Sequence, residues 1–225
     1  MQYNKITIAC VLRTPPTNKS YKQKVYSNLD VIRLKRGVEN FLTLDHNFVC
    51  LTDRDDIETP TITLIGNTPS WWAKLELFRP HLFETPVLYI DLDMVICGKL
   101  DEMIDHFFGN TFMLLGDSRK SVMGSGMIYF EGDHSHLWHT YNRNPIEFQK
   151  KYSKKPRYGD QAFLEDNTSF MAMNETVNPK WFQKLLPSTV PNPESKILVC
   201  AGKANKLHKK EYDNNPWVVK YWSSL

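Results

Sequence analysis

Residues 87–93, Val-Leu-Tyr-Ile-Asp-Leu-Asp, constrain this chain more than any other segment, because an apolar run ends there in two carboxylates separated by one residue. If Val87 to Ile90 form a buried strand, its two-residue period puts Asp91 and Asp93 on one side at the carboxyl edge and turns Leu92 away. Two hard oxygen ligands then converge on one point. In an open α/β sheet that edge is where ligands bind, and a divalent cation carrying a diphosphate suits such a pair. The plainer alternative is a strand end with two solvated acids, so the rest of the chain has to decide.

At 225 residues and 41% hydrophobic content the chain can bury a sizeable core, which predicts one domain over 1–225. No apolar run approaches the ~18 residues that a transmembrane segment needs, and Met1 to Lys5 are polar without a signal-peptide pattern. Both points predict a cytoplasmic protein. Cys10, Cys50, Cys97 and Cys200 lie far apart, each in or beside an apolar stretch, as buried reduced thiols do, rather than a disulfide framework or a zinc site. A net charge of +3 is too small to argue for nucleic acid. Basic clusters at 150–157 and 203–210 fit either solvated faces or an anionic substrate.

Hydrophobic spacing predicts strands over Ile6 to Leu12, Phe48 to Leu51, Ile62 to Ile65, Val87 to Ile90, near Val95, over Phe112 to Leu115, Met127 to Phe130 and Ile197 to Cys200. Between them helical spacing covers Tyr21 to Val38, Trp71 to Phe78, Asp101 to Phe108, His134 to Tyr141 and Gly159 to Asn167. Alternating strands and helices imply an α/β fold with a mainly parallel central sheet flanked by helices. No repeat or linker divides the chain.

Several further segments fall in a telling order around the Asp-x-Asp. Trp71-Trp72-Ala73-Lys74-Leu75-Glu76-Leu77-Phe78 precedes it, and Gly124-Ser125-Gly126-Met127 follows. Tyr158-Gly159-Asp160-Gln161 and Gly202-Lys203-Ala204-Asn205-Lys206-Leu207-His208 come later. This order resembles the GT-A glycosyltransferases, in particular glycosyltransferase family 8 and its small bacterial and viral relatives, over nearly the whole chain from Val11 to Trp217. The resemblance implies a Rossmann-like GT-A fold and transfer of a sugar from a nucleotide-diphosphate donor, UDP by family habit, to a glycan or other hydroxyl acceptor with retention of configuration. It implies Mn²⁺ or Mg²⁺ held by Asp91 and Asp93. It also places Val11, Arg13 and Asp53 near the nucleoside, Lys74, Ser125 and Gly126 near the donor sugar, Asp160 and Gln161 beside the reacting carbon, and Gly202, Lys203 and Lys206 around the diphosphate. A lysine suits phosphate as a point charge.

Each position has an ordinary alternative. Lys74 fits the polar face of an amphipathic helix, Gly126 a turn, Asp160 a helix N-cap, and Arg13 either phosphate or solvent. Trp71 and Trp72 read as packing residues rather than sugar platforms. One departure is plain: the family's third metal ligand is a histidine just before the loop glycine, whereas Val199-Cys200-Ala201 precede Gly202 here. Either His208 ligates, or diphosphate and water complete the shell, or activity is weakened to binding alone. His134, His136 and His139 lack the spacing of a zinc helix and read as a surface helix start. A rival enzyme class, the haloacid-dehalogenase-like phosphatases, also has a strand ending Asp-x-Asp, with the first aspartate as nucleophile. There that strand normally opens the domain, whereas three predicted strands precede Asp91.

Overall fold

The structure, a computed structural model, describes residues 4–15, 26–116, 123–154, 158–186, 190–199 and 216–223. The strands are β1 (Lys5–Leu12), β2 (Asp45–Thr52), β3 (Thr61–Thr63), β4 (Val87–Ile90), β5 (Met94–Ile96), β6 (Phe112–Gly116), β7 (Met123–Phe130), β8 (Met171–Ala172), β9 (Phe182–Lys184) and β10 (Ile197–Val199). The helices are α1 (Asn28–Phe41), α2 (Asp101–Phe107), α3 (Ser135–Arg143), α4 (Pro145–Lys151), α5 (Gly159–Asn167) and α6 (Met173–Thr176), with a 3₁₀ helix over Ser70–Phe78.

Seven strands form the central sheet in the order β3-β2-β1-β4-β7-β6-β8. Every pairing in it is parallel except those of β7, which runs against both β4 and β6. The expected mainly parallel α/β sheet is therefore present. Strand β5 leaves it and joins a smaller sheet ordered β5-β10-β9.

Both faces of the large sheet are covered, which is why its strands read as near-continuous apolar runs. Ile6, Ile8, Cys10 and Leu12 of β1 pack with Val31, Leu34 and Val38 of α1 and with Met103, Ile104 and Phe107 of α2. On the opposite face Ala9, Val49 and Tyr89 meet Trp72, Leu75 and Phe78 of the 3₁₀ helix, Leu137 and Tyr141 of α3, and Phe163 of α5. Trp72 is centred there, its ring 5.2 Å from Tyr141 and 6.2 Å from Phe163, so the packing role expected of it holds.

Local caps set the element ends. The Ser27 amide and hydroxyl donate to Asp30 Oδ2 at 2.8 and 3.1 Å, opening α1. After α1, the Thr43 and Leu44 amides both donate to Asp101 Oδ1 at 2.8 Å, tying the α1–β2 turn to the first residue of α2. Observed α1 begins at Asn28, not Tyr21, and residues 21–25 lie outside the described residues. Among the described residues no helix is long and apolar enough to cross a membrane.

His134 lies between Phe112 and Phe130, ring centroids 4.9 and 5.9 Å away. Its Nε2 stands 2.9 Å from Thr111 O and 3.1 Å from Glu131 O, so Nε2 carries the proton and donates. Nδ1 is buried and has no hydrogen-bond partner. A second proton would have to sit there, and burial holds His134 below the ordinary imidazole value despite the two carbonyls. The sign follows: while both states are neutral the group is silent, but as pH falls through the unfolded value of about 6.5 the unfolded chain takes the proton first and stability is lost. The melting temperature should drop between roughly pH 7.5 and 5.5, and His134→Gln, which keeps a donor for Thr111, should flatten that part of the profile. An unchanged profile in the variant would assign the titration to another group.

Candidate active site

The four parallel strands β3, β2, β1 and β4 deliver their carboxyl ends to one edge of the sheet. At the end of β4 the chain leaves its extended path, and the Met94 amide donates back to Asp91 O at 3.1 Å. The parity of β4 is as the sequence requires: Leu88, Ile90 and Leu92 enter the core beneath α1, whereas Tyr89 faces the opposite core, on the side of Asp91. Leu92 is turned away, as expected. The aspartates differ from two solvated acids, since Asp93 is only 6% exposed and each carboxylate is held by a phenol. Tyr89 donates to Asp91 Oδ1, and Tyr26 donates to Asp93 Oδ2 at 2.7 Å. Burial, reinforced by Asp91, raises the Tyr89 phenol well above its ordinary pKa and keeps it a neutral donor. Burial likewise raises Asp91, with Lys74 opposing the shift and Asp93 adding to it.

Lys74 is the centre of the site. A 3₁₀ helix repeats every three residues, so Trp71 and Lys74 share one line along it while Trp72, Leu75 and Phe78 share another, packed in the core. The Lys74 ammonium, 7% exposed, lies 3.0 Å from Asp91 Oδ1, 3.4 Å from Asp160 Oδ2, and 3.0 Å from the Ser125 carbonyl, with Ser125 Oγ at 3.3 Å. The solvated polar face that an amphipathic helix would give Lys74 is thus not its environment. Burial alone would lower its pKa, but Asp160 and then Asp91 outweigh this and raise it above the ordinary lysine value. The residue is a fixed positive charge joining three chain segments that lie far apart in sequence.

Asp160 reaches this ammonium from the first turn of α5, and it is 4% exposed. Its Oδ2 accepts no hydrogen bond, leaving the Lys74 charge as the neighbour that compensates it. Asp160 is not the N-cap of α5; that position is Tyr158. Gly159 has φ +75°, and a Cβ there would stand 2.8 Å from Trp71 Nε1, so the close seating of α5 on the 3₁₀ helix requires glycine twice over. Gln161 follows, half-buried on the same turn.

Ser125 and Gly126 lie in β7, which pairs antiparallel with β4 and so starts where β4 ends. The Asp91 amide donates to Gly126 O at 2.8 Å. A Cβ on Gly126 would collide with Met94 Cε and stand 3.3 Å from Asp91 Oδ2, so this glycine gives room to the side chains of the Asp91–Met94 turn.

Arg13 and Asp53, at the ends of β1 and β2, engage each other. Arg13 donates to Gly66 O at 3.0 Å and Asn67 Oδ1 at 3.1 Å, and its Nε lies 3.5 Å from Asp53 Oδ2. Asp53 Oδ1 accepts from the Thr14 amide at 2.8 Å. Val11 pairs with Leu51 just beneath them. Gly202, Lys203, Lys206 and His208 lie outside the described residues. Among the described residues no third histidine, cysteine or carboxylate joins Asp91 and Asp93 in a metal-sized group.

No protein-family model and no curated protein matches this sequence. Solved structures do match. GlyE of Streptococcus pneumoniae TIGR4, a glycosyltransferase, aligns with TM-score 0.58 at 13% identity over 92% of this chain, which spans 57% of GlyE. An active-site mutant of LgtC aligns with TM-score 0.54 at 12% identity, covering 92% of this chain and 90% of LgtC. Mouse xyloside xylosyltransferase 1 aligns with TM-score 0.53 at 11% identity, covering 90% and 99%. The chain has the GT-A glycosyltransferase fold. Within that fold the cluster of Lys74, Asp91, Asp93, Ser125 and Asp160 occupies the carboxyl edge of the sheet, where open α/β sheets bind ligands. The tyrosines at 26 and 89 are absent from the sequence-based set of site residues. Tyr89 has a signal, two residues before Asp91 in a strand; the tie from Tyr26 to Asp93 has none.

Proposed function

We infer that the protein is a metal-dependent glycosyltransferase that moves a sugar from a nucleotide-diphosphate sugar, with UDP as the nucleotide, to a glycan or other hydroxyl acceptor, with retention, in the cytosol. The observation that carries this reading is the Lys74 ammonium, shared between the Asp91 carboxylate and Asp160 at the carboxyl edge of a GT-A fold. It links the acid pair suited to a cation with an acid suited to the reacting carbon.

The donor set fits a hard divalent cation such as Mn²⁺ or Mg²⁺: two carboxylates, each oriented by a phenol, with ligand oxygens and water left to complete the shell. Bound there, the cation would neutralise charge on a departing diphosphate. Lys74 keeps fixed positive charge beside the acids, and Ser125 marks how closely β7 approaches it. Asp160 would supply a buried carboxylate beside the reacting carbon, and Gln161 a neutral amide to orient the sugar. The phosphatase reading asks Asp91 to attack phosphorus from a strand that normally opens the domain, whereas β1, β2 and β3 precede β4 here.

The test is ligand-linked stability. Mn²⁺ with UDP at about a hundred times its Kd should stabilise the parent by about 2.7 kcal/mol, a rise of roughly 5–10 °C in Tm for a chain of this size. Asp93→Asn should lose the Mn²⁺-dependent part of that rise and lose transfer. Transfer that kept its normal Mn²⁺ dependence in Asp93→Asn would rule out the cation assignment; binding without any turnover in the parent would support the binding-only reading.

A further inference from the structure

Glu76 is 2% exposed and lies two residues beyond Lys74 on the 3₁₀ helix. With a repeat of three residues the two side chains leave the helix on different lines, so Glu76 serves a different part of the sheet edge. Its oxygens take one backbone amide each: Oε2 accepts from Ile65 and Oε1 from Gly66, both at 2.8 Å. Arg79 Nη1, 3.7 Å from Oε2, balances the charge. Leu75 and Leu77 on either side are buried in the core, so the carboxylate stands on firmly held backbone.

The turn gripped in this way is the one that holds Arg13. Gly66 O accepts from Arg13 Nη1 at 3.0 Å and Asn67 Oδ1 from Arg13 Nη2 at 3.1 Å, while Arg13 Nε lies 3.5 Å from Asp53 Oδ2. Asp53 Oδ1 accepts in turn from the Thr14 amide and hydroxyl at 2.8 and 3.1 Å. One line of contacts thus runs from a buried carboxylate to the ends of β1 and β2. Gly66 is its tightest point, because a Cβ there would stand 3.0 Å from Glu76 Oε1. Charge-assisted bonds to two successive amides fix the backbone of the turn and not only its position. A guanidinium carries its N–H donors in one plane, and holding both terminal nitrogens fixes that plane for the donors that remain. We propose that Glu76 is a positioning residue for the nucleoside half of the donor site: it sets the 65–67 turn and, through it, the Arg13 guanidinium beside Asp53. The role rests on the nucleotide-sugar reading above, with Arg13 and Asp53 near the nucleoside. One helix then orders both halves of the site, Lys74 the acids at the end of β4 and Glu76 the ends of β1 and β2.

Isothermal titration with UDP and with inorganic pyrophosphate, both in Mn²⁺, tests the role. In Glu76→Gln an amide nitrogen replaces one carboxylate oxygen and faces a backbone N–H, so the Kd for UDP should rise about tenfold, the scale of a lost hydrogen bond to a charged group. Pyrophosphate has no nucleoside, and its Kd should stay that of the parent. The rise for UDP should vanish in an Arg13→Gln background, since Glu76 acts through Arg13. Gly66→Ala presses on the same contact from the turn and should raise the Kd for UDP in the same Arg13-dependent way; it carries the test if Glu76→Gln does not fold. UDP bound as tightly as by the parent, equal weakening of UDP and pyrophosphate, or a rise that persists in full without Arg13 would overturn the role and leave the functional reading intact. No binding of UDP by the parent would instead overturn the functional reading, and the role with it.

Discussion

Lys74→Met should lower the melting temperature by roughly 6–12 °C and abolish transfer. The side chain is 7% exposed, and its ammonium stands 3.0 Å from Asp91 and 3.4 Å from Asp160. Methionine replaces the stem but leaves two carboxylates facing one another without their cation. Removing one member of a buried ion pair costs about 3–5 kcal/mol, because the partner charge stays desolvated. The Asp91 side chain is 30% exposed, so water screens part of the loss and the lower end applies. For a chain of this size each kcal/mol moves Tm by about 2–4 °C, which gives the stated range. The cause is separable from lost packing: adding Asp160→Asn to Lys74→Met removes the stranded charge, and the double variant should melt above Lys74→Met alone. Strictly additive losses would mean that Asp160 and Lys74 do not depend on each other, and the centre of the site would lie elsewhere.

That dependence marks the limit of what the sequence makes legible. Strand β4, its parity, and the placing of Asp91 at its end follow from a period of two, and α5 begins and ends at Gly159 and Asn167 as predicted. The burial of Lys74 does not follow. A polar residue between Ala73 and Leu75 suits a solvated helical face as well as an ion pair, and only the approach of α5 and β7 decides between them. The same holds for Arg13 and Asp53, whose pairing depends on how β1, β2 and the turn at Gly66 meet. The pattern of Met94 to Ile96 shows a strand but not its departure into the smaller sheet, since that depends on pairing with the distant β10. Strand β8 has two residues and β9 three, too few for a period to declare itself. Helix α4 does carry a start signal that the hydrophobic pattern hides: Pro145 follows Asn144, whose side chain accepts from the Glu147 amide.

Asp160→Asn in the parent should cut turnover by about 10² or more, the scale of a lost acid-base or electrostatic group, and leave donor affinity nearly unchanged. Asparagine keeps the shape and removes the charge. Its effect on stability should be smaller than that of Lys74→Met, because Lys74 retains Asp91 at 3.0 Å and the Ser125 carbonyl at 3.0 Å as partners. The kinetic pattern separates chemistry from scaffolding: kcat should fall at nearly constant KM for the donor, whereas a loosened α5 would raise KM through the Lys74 contacts. Stereochemistry adds an independent check. A retaining path needs a group beneath the anomeric carbon or an acceptor that arrives on the face the diphosphate leaves, and the buried carboxylate of Asp160, beside Lys74, suits the first role and tolerates the second. NMR of the first-formed product should show the donor's own anomeric configuration. Inversion would reassign Asp160 to a base that activates the acceptor, while the pairing of Asp91 and Asp93 with a cation and diphosphate would stand on its own test.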